Sequence, residues 1–318
     1  MFGNLDIVIA GTIVFDIFVS NYKEFPSKGQ AVELEKIPFF TGGCGANPSV
    51  ILSKLGAKVS LIGALGDDLS GNYILNYLNQ NNVDTSLIKV SSKLPTSTSI
   101  LFINQKKERS YFHSVGASKE ISIGSKEFNA INQSKIFHIG GVNLLPSLDG
   151  KPMAQVLKKA KLKNIITSID LAWDVKNKWM KNLKASLPFI DILMGNEFEI
   201  KALTQSKNLK TSFKILHEAG VKIVVVKLGS KGSVVSKDFV QLSIPSFKVK
   251  PKDSTGAGDA FAAGFLFGIL KGFNLYDSAK LGNYIGALVT TELGSTSSVQ
   301  KFKSFDVYKI LKSEKLIV

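Results

Sequence analysis

The chain has 318 residues and 44% of them are hydrophobic, so it is long enough to bury a large core. Its net charge is +15, but the lysines are scattered and no basic run alternates with aromatic residues, which argues against a nucleic-acid partner. The single cysteine, Cys44, excludes an internal disulfide framework and is typical of the cytoplasm. No uncharged run reaches the roughly 18 residues that span a bilayer, and residues 1–20 lack a basic leader, so we expect no membrane partner.

The N-terminal segment predicts a strand followed by an acidic residue. Residues 5–11 are hydrophobic, and Asp16 lies just beyond the carboxyl end of the strand that we expect them to form. Ligands of open α/β sheets bind at the carboxyl ends of strands. Asp16 therefore either holds a hydroxyl of a polyol or caps a turn.

Two separated segments predict a small sheet apart from the main one. Residues 15–40 contain short alternating runs broken by prolines and a glycine. Residues 96–104 and 109–113 alternate on either side of a polar turn at 105–108, which is typical of a β-hairpin. We expect the hairpin to join the earlier segment in one small sheet.

A glycine-rich loop then leads into a helix. Gly42, Gly43 and Asn47 precede residues 48–56, whose first proline and last glycine are typical helix boundaries. The loop is either a tight strand-to-helix turn or a set of backbone donors that bind a hydroxylated ligand together with the Asn47 amide. Cys44 has no neighbouring histidine or second cysteine, so we interpret it as a lining residue and not as a nucleophile.

The rest of the chain alternates between strand and helix patterns. Apolar or β-branched runs predict extended segments at 58–63, 85–90, 136–140, 164–170, 190–194 and 221–228. Helices are predicted at 69–79, 153–161 and 178–185. This alternation predicts an α/β fold with a mostly parallel sheet and helices on both faces. No internal repeat or long linker divides the chain, so we predict one domain over residues 1–318.

Further polar residues follow two of these strands. Asn196 and Glu199 are three residues apart at the start of a helix, so they either form a capping box or hold Mg²⁺ through water and phosphates. The glycines of the turn at 227–232 would suit a loop that passes a nucleotide. Asn283, in a helical run at 275–292, either reaches a base or ribose or is solvated.

A second glycine-rich stretch opens the most apolar helix. Residues 260–270 carry no charge and several small side chains, which predicts a closely packed, buried helix that begins at Gly256 and Gly258. The unpaired amides and the positive dipole end of a helix start form an anion site. Asp259 is then either a first-turn acid stabilised by the dipole or a general base beside an oxyanion hole.

Two common nucleotide-binding signatures are missing. The chain contains no Gly-x-x-x-x-Gly-Lys-Ser/Thr sequence, which excludes a P-loop protein. Pro48 and Phe261 stand in place of the third glycine in the two stretches that begin like Gly-x-Gly-x-x-Gly. A dinucleotide-binding dehydrogenase is therefore weakly supported.

In order and spacing, four motifs resemble those of the ribokinase-like (PfkB) carbohydrate kinases. They extend over nearly the whole chain and are Gly42-Gly43-x-Gly45-Ala46-Asn47, Asn196-x-x-Glu199, the turn at 227–232 and Asp253-x-Thr255-Gly256-Ala257-Gly258-Asp259-x-Phe261. The resemblance implies a three-layer fold with a mostly parallel central sheet flanked by helices, and a small β lid at about residues 13–41 and 95–115. It also implies ATP-dependent phosphorylation of a hydroxymethyl group of a small sugar.

The resemblance also implies roles for individual residues. Asp259 would be the base that deprotonates the sugar hydroxyl, and an anion hole for the γ-phosphoryl group would be formed by the amides of Gly256, Ala257 and Gly258. The sugar would be bound by Asp16, Gly42, Gly43, Asn47 and Asp253. The ATP site would be lined by Lys227, Gly229, Gly232 and Asn283. Mg²⁺ and phosphate would be organised by Asn196 and Glu199.

The chain departs from ribokinases proper on the acceptor side. Cys44 stands where they usually carry lysine, Val14 stands where they have asparagine, and residues 140–143 lack their sugar-contacting glutamate. These departures argue against ribose and leave another sugar or a nucleoside open. A non-catalytic sugar or nucleotide sensor is a further alternative, and the intact Asp259 argues against it.

The resemblance extends to two further features. In some relatives a segment like that around Asp253, Thr255 and residues 294–298 binds a monovalent cation, so a K⁺ site is open here. A homodimer formed through the lid is the expected assembly, and sugar and ATP are the expected small-molecule partners.

Overall fold

The computed structural model of the chain describes residues 5–105, 109–301 and 306–313. The predicted turn at 105–108 therefore lies outside the described residues, except for its first residue. Within these ranges the strands, in chain order, are β1 (Leu5–Ala10), β2 (Val14–Tyr22), β3 (Phe39–Gly42), β4 (Val59–Gly66), β5 (Ile88–Ser91), β6 (Ser97–Asn104), β7 (Arg109–Ser114), β8 (Ser134–Val142), β9 (Ile166–Leu171), β10 (Ile192–Asn196), β11 (Ile223–Lys227), β12 (Ser233–Lys237) and β13 (Val240–Ile244). The α-helices are α1 (Ala46–Lys54), α2 (Leu69–Gln80), α3 (Ser125–Ile131), α4 (Lys151–Leu162), α5 (Trp179–Leu183), α6 (Glu197–Thr204), α7 (Leu209–Glu218), α8 (Ala257–Leu270), α9 (Leu275–Val289) and α10 (Val307–Lys312).

The large sheet has the strand order β13-β12-β11-β10-β9-β8-β1-β4-β5. From β11 to β5 every neighbouring pair is parallel, as the strand–helix alternation predicts. β12 and β13 are antiparallel and extend one edge. The sequence analysis missed this hairpin, because its turn residues Asp238 and Phe239 have φ angles of 49° and 65° without the glycine that usually marks such a turn.

The strands direct alternate side chains into two helical layers. In β1, Ile7 and Ile9 pack in the core with α1, α2, α8, α9 and α10. Val8 and Ala10 pack in the opposite core with α3, α4, α5, α6 and α7. Because both faces are covered, the parallel strands are apolar on both sides. The predicted three-layer α/β fold is confirmed.

The helix boundaries differ from the prediction at the first glycine loop and agree with it at the second. α1 begins two residues before the predicted start at 48, since the residues that follow the glycine turn are already helical. α8 begins at Ala257, directly after Gly256, where the glycines predict its start. α5 has only five residues, and the backbone amides of Lys178 and Trp179 at its start donate to the Asp174 carboxylate. No helix in the described ranges combines the length and hydropathy needed to cross a bilayer.

A separate sheet has the order β3-β2-β6-β7. β6 and β7 are the predicted hairpin, and β2 pairs with β6 in parallel, with Val14 opposite Ser97. The two separated segments thus meet in one small sheet, as predicted. Asp16 belongs to β2 of this sheet, so its expected place directly at the end of the first strand of the large sheet is corrected.

Candidate active site

The first turn of α8 presents open backbone amides. Gly256 precedes the helix with a φ of 74°, and a Cβ at this position would lie 2.4 Å from Ser295 Cβ, so the turn requires glycine. The Ala257 amide donates to the Ser254 carbonyl oxygen at 3.3 Å. The amides of Gly256, Gly258 and Asp259 have no hydrogen-bond partner among the described residues. These amides, with the positive end of the helix dipole, can bind an anionic group.

The predicted anion hole is therefore modified in two respects. The Ala257 amide is already used within the turn, whereas the Asp259 amide is open. The sequence analysis did not include this amide, although each of the first four amides of a helix lacks an intrahelical partner.

Asp259 is held by donors from the loop before α1 and from α1 itself. Asn47 Nδ2 donates to Asp259 Oδ2 at 2.8 Å, and the Cys44 thiol is close enough to influence the pKa of this carboxylate. Burial raises the pKa of Asp259 above its ordinary value, while the Asn47 donor opposes the rise. Burial, with the charge of Asp259, raises the pKa of Cys44 well above its ordinary value. Cys44 is therefore a neutral thiol, and Asp259 is a buried carboxylate whose raised pKa suits a general base.

A second group of predicted residues lies where the small sheet meets the α1 loop. The Asp16 carboxylate packs on Gly42, so closely that a Cβ on Gly42 would be 1.9 Å from Asp16 Oδ2. The Cys44 amide donates to Thr12 Oγ1 at 3.1 Å, which ties the loop that contains Gly43 to the segment between β1 and β2. Asn47 Oδ1 is buried without a partner among the described residues, so it can accept a hydrogen bond from a ligand hydroxyl.

The four residues predicted to line an ATP site surround one cavity. The cavity has a volume of about 710 Å³ and is lined by Lys227, Gly229, Gly232 and Asn283. Ala257 and Gly258 of the α8 turn also face it, so the anion site opens into this cavity. An apolar wall is formed by Pro245, Phe247, Val249, Phe261 and Ala287. Such a space, apolar with charge at one end, suits a nucleotide.

One of the two alternatives for Asn283 is wrong, and the other stays a prediction. It is only 5% exposed, so the interpretation as a solvated residue is wrong. Its Nδ2 donates to the carbonyl oxygens of Ile244 and Pro245, each at 3.1 Å. Asn283 therefore contributes to the cavity wall, and its side-chain amide holds the segment after β13 in place.

Lys227 forms a buried ion pair that the sequence analysis missed. Its Nζ lies 2.7 Å from both carboxylate oxygens of Asp170, the penultimate residue of β9. Burial alone would lower the pKa of Lys227, but the charges of Asp170 and Glu199 raise it above its ordinary value. Burial raises the pKa of Asp170, and Lys227 opposes this. The only sequence signal for Asp170 is its place at the carboxyl end of a parallel strand.

Asn196 and Glu199 form the capping box that was one of their two interpretations. Asn196 Oδ1 accepts from the Glu199 amide at 2.9 Å, and Glu199 Oε2 accepts from the Asn196 amide at 2.8 Å. Burial raises the pKa of Glu199 to about 7, with Lys227 opposing and Asp170 adding to the rise. Within the described ranges, no group of three or more His, Cys, Asp and Glu residues could hold a metal ion. The role of the pair in organising Mg²⁺ stays a prediction.

Asp253 joins the segment before α8 to a later loop. Its Oδ1 accepts from the Thr255 amide at 3.0 Å and from Thr255 Oγ1 at 2.6 Å, and its Oδ2 accepts from the Gly294 amide at 3.3 Å. Asp253 does not line the cavity described above, and its predicted contact with a sugar stays a prediction. Ser298 Oγ, in the same loop as Gly294, is buried without a partner in the described part of the chain.

Comparisons with known proteins agree with this geometry. A family model described as pfkB family carbohydrate kinase matches residues 4–301. A 5-dehydro-2-deoxygluconokinase of Clostridium beijerinckii is 30% identical over 274 residues, which are 79% of this chain and 78% of that protein. A nucleoside kinase of Methanothermobacter thermautotrophicus is 25% identical over 297 residues, or 92% of each chain.

Solved structures show the same fold. The structure of an Arabidopsis thaliana ribokinase complexed with ribose and ATP matches with a TM-score of 0.83 and 24% identity, and the match covers 97% of this chain and 99% of that one. With the family model spanning most of its length, the chain belongs to the pfkB family of carbohydrate kinases: it is a sugar or nucleoside kinase, a phosphotransferase that acts on an alcohol group.

Proposed function

We propose that the protein transfers the γ-phosphoryl group of ATP to a hydroxymethyl group of a small sugar. The observation that supports this most is the position of the Asp259 carboxylate. Asp259 lies in the same helical turn as the open Gly256 and Gly258 amides, and its Oδ2 accepts a hydrogen bond from Asn47 Nδ2 at 2.8 Å. Phosphoryl transfer needs a positioned acceptor and stabilisation of charge more than it needs covalent help from the protein. A base beside an anion site supplies both.

In the proposed reaction Asp259 is the general base. The acceptor hydroxyl gives its proton to Asp259 while its oxygen bonds to the γ-phosphorus, and the bond between that phosphorus and ADP breaks. The open amides of Gly256 and Gly258 stabilise the charge on the transferred group. Because burial raises the pKa of Asp259, the carboxylate is a better proton acceptor than an exposed aspartate.

We propose that ATP occupies the cavity lined by Lys227, Gly229, Gly232 and Asn283. The Lys227 ammonium, at the α8 end of this cavity, would contact the phosphates. Mg²⁺ bound with the nucleotide would neutralise charge on the phosphates. Asn196 and Glu199 would hold that ion through water, which agrees with their side-chain oxygens being partly used in the capping box.

On the acceptor side, we propose that Asp16, Gly42, Gly43 and Asn47 bind the sugar. The small sheet, at about residues 13–41 and 95–115, would act as a lid over it within a single kinase domain and exclude water, which competes as acceptor.

Asp253 would add to sugar binding by fixing the segment before α8. A monovalent cation such as K⁺ would bind at the neighbouring loop, where Ser298 Oγ is a buried oxygen without a partner in the described ranges.

A nucleoside acceptor is the second candidate. The nucleoside kinase relative matches 92% of this chain, and Cys44 replaces the lysine usual in ribokinases. The third candidate, a non-catalytic sensor, would not need a base held as Asp259 is held. The single cysteine of the chain supports a cytoplasmic location for any of the three.

We also propose that two copies associate through their lids. The small sheet exposes large apolar side chains, with Phe39, Tyr111 and Phe112 at 48%, 66% and 71% exposure. Size-exclusion chromatography with light scattering would measure the mass, and a monomer at micromolar concentration would contradict this assembly.

A coupled assay of ADP release over a panel of sugars and nucleosides tests the proposed function. We expect turnover on at least one sugar, and a loss of at least about 100-fold in Asp259→Asn. Asp277→Asn is a matched control, because Asp277 occupies the same first-turn position in α9 and should leave turnover unchanged. Turnover at the wild-type level in Asp259→Asn would exclude the assigned base, and ligand-dependent stabilisation without any turnover would favour the sensor.

A further inference from the structure

Asp170 and Lys227 are joined across an intervening strand. Asp170 lies near the end of β9 and Lys227 is the last residue of β11, with β10 between them. The Lys227 side chain crosses β10, and its Nζ contacts both Asp170 oxygens at 2.7 Å. Only 5% of the Asp170 side chain and 15% of the Lys227 side chain are exposed. The ammonium is thus fixed by two charge-assisted hydrogen bonds with little access for water.

The fixed ammonium lies against the first turn of α8. A Cβ placed on Gly258 would lie only 3.2 Å from Lys227 Nζ. Gly258, whose amide is open, and Lys227 both line the cavity of about 710 Å³. Glu199 and Asp259 are also close enough to attract this ammonium electrostatically. Without Asp170, Lys227 would therefore have two other carboxylates to approach, and one of them is the proposed base.

The charge of Asp170 would itself disfavour phosphate binding. A carboxylate near a phosphate site repels the ligand, so an electrostatic effect alone predicts tighter nucleotide binding when Asp170 is neutral. A positioning effect predicts a different result: the nucleotide still binds, but the ammonium is misplaced when the phosphoryl group moves. The two effects act on different kinetic constants and can be separated.

We propose that Asp170 is a positioning residue for phosphoryl transfer, which holds the Lys227 ammonium against the first turn of α8 and away from Asp259. This inference depends on the proposed function. Asp170 acts through Lys227 and does not itself touch the acceptor or the transferred group.

The test is a double-mutant cycle with Asp170→Asn, Lys227→Met and the double variant. For Asp170→Asn we expect kcat to fall by about 10-fold or more, while the dissociation constant for ADP, measured by titration calorimetry, stays equal or becomes smaller. In the Lys227→Met background, Asp170→Asn should change kcat by less than about 2-fold, because its effect is transmitted by the lysine. The double variant removes both buried charges, so it keeps the test valid if a single variant is poorly folded.

Two outcomes would overturn the inference. If the kcat losses of the single variants multiply in the double variant, Asp170 acts independently of Lys227. If Asp170→Asn lowers the unfolding temperature and weakens ADP binding in parallel with kcat, its role is structural only. Failure of the proposed function looks different, since the wild-type protein would then show no turnover on any member of the panel.

Discussion

Replacing Asn47 by alanine removes the donor that orients the Asp259 carboxylate. The hydrogen bond is 2.8 Å long and Asn47 is 2% exposed, so water cannot readily replace the lost amide. A hydrogen bond to a charged group contributes about 1.5–3 kcal/mol, which corresponds to a rate factor of roughly 10 to 150. We expect kcat/KM for a sugar substrate to fall by about that factor.

The pH dependence of the Asn47→Ala variant identifies the cause of this loss. The Asn47 donor lowers the pKa of Asp259, opposing the effect of burial, so its removal moves the pKa of Asp259 further upward. A general base acts only when it is unprotonated. The acid limb of the kcat/KM profile should therefore move to higher pH, and part of the lost activity should return in alkaline buffer.

Ser49→Ala is the matched control for this experiment. Ser49 is fully buried in the same turn of α1, and its hydroxyl donates to the Gly45 carbonyl oxygen and not to Asp259. The assay is coupled ADP release from about pH 5.5 to pH 9, with thermal unfolding followed by circular dichroism. The view that Asn47 lowers the pKa of Asp259 would be refuted by either of two results: an equal loss of kcat/KM in Asn47→Ala at every pH, or a shifted acid limb in Ser49→Ala.

Three further substitutions test other parts of the structure. Gly256 and Gly272 both have φ near 75°, but only at Gly256 would an added Cβ clash with Ser295. Gly272→Ala should therefore lower the free energy of unfolding, measured in urea, by about 1–2 kcal/mol. Gly256→Ala should lower it by clearly more. Asn283→Ala should raise KM for ATP by roughly 3- to 10-fold with a smaller change in kcat, since it releases the cavity wall; an unchanged KM would contradict this. The pKa of Glu199 is raised to about 7 in the folded protein, so its folded form prefers the proton and stability is lost as pH rises from about 4.5 to 7. Glu199→Gln should be less sensitive to pH over this interval, and identical pH curves would show that Glu199 does not titrate there.

The sequence predicts the architecture well because the signals for it are local. Apolar runs of strand length alternate with helical runs, and the residues of β1 from Ile7 to Ala10 contribute alternately to the two cores. The same reasoning identifies both glycine loops, because a glycine followed by an apolar helix is visible within ten residues. It does not reveal the edge hairpin of β12 and β13, whose turn lacks the expected residue type.

The contacts within the site are harder to predict, because they join distant parts of the chain. Asn47 and Asp259 are 212 residues apart in sequence, and each was singled out for a separate role, so their hydrogen bond was not expected. Asp170 has no local motif, and it becomes important only because Lys227 reaches it across β10. Asn283 had two alternatives on the sequence alone, and neither anticipated that its amide would be used by the segment after β13.

The first turn of α8 joins the proposed acceptor half and the proposed nucleotide half of the site. Consecutive residues of an α-helix are rotated by about 100°, so Gly258 and Asp259 face different directions although they are neighbours. Asp259 faces Asn47, on the proposed acceptor side, and Gly258 faces Lys227 and the cavity that we propose for the nucleotide. A change that rotates this turn would therefore separate the base from the acceptor and the amides from the phosphate at once. For this reason the small residues that pack α8 against α9, Gly264 on Gly282 among them, should matter for turnover as well as for stability.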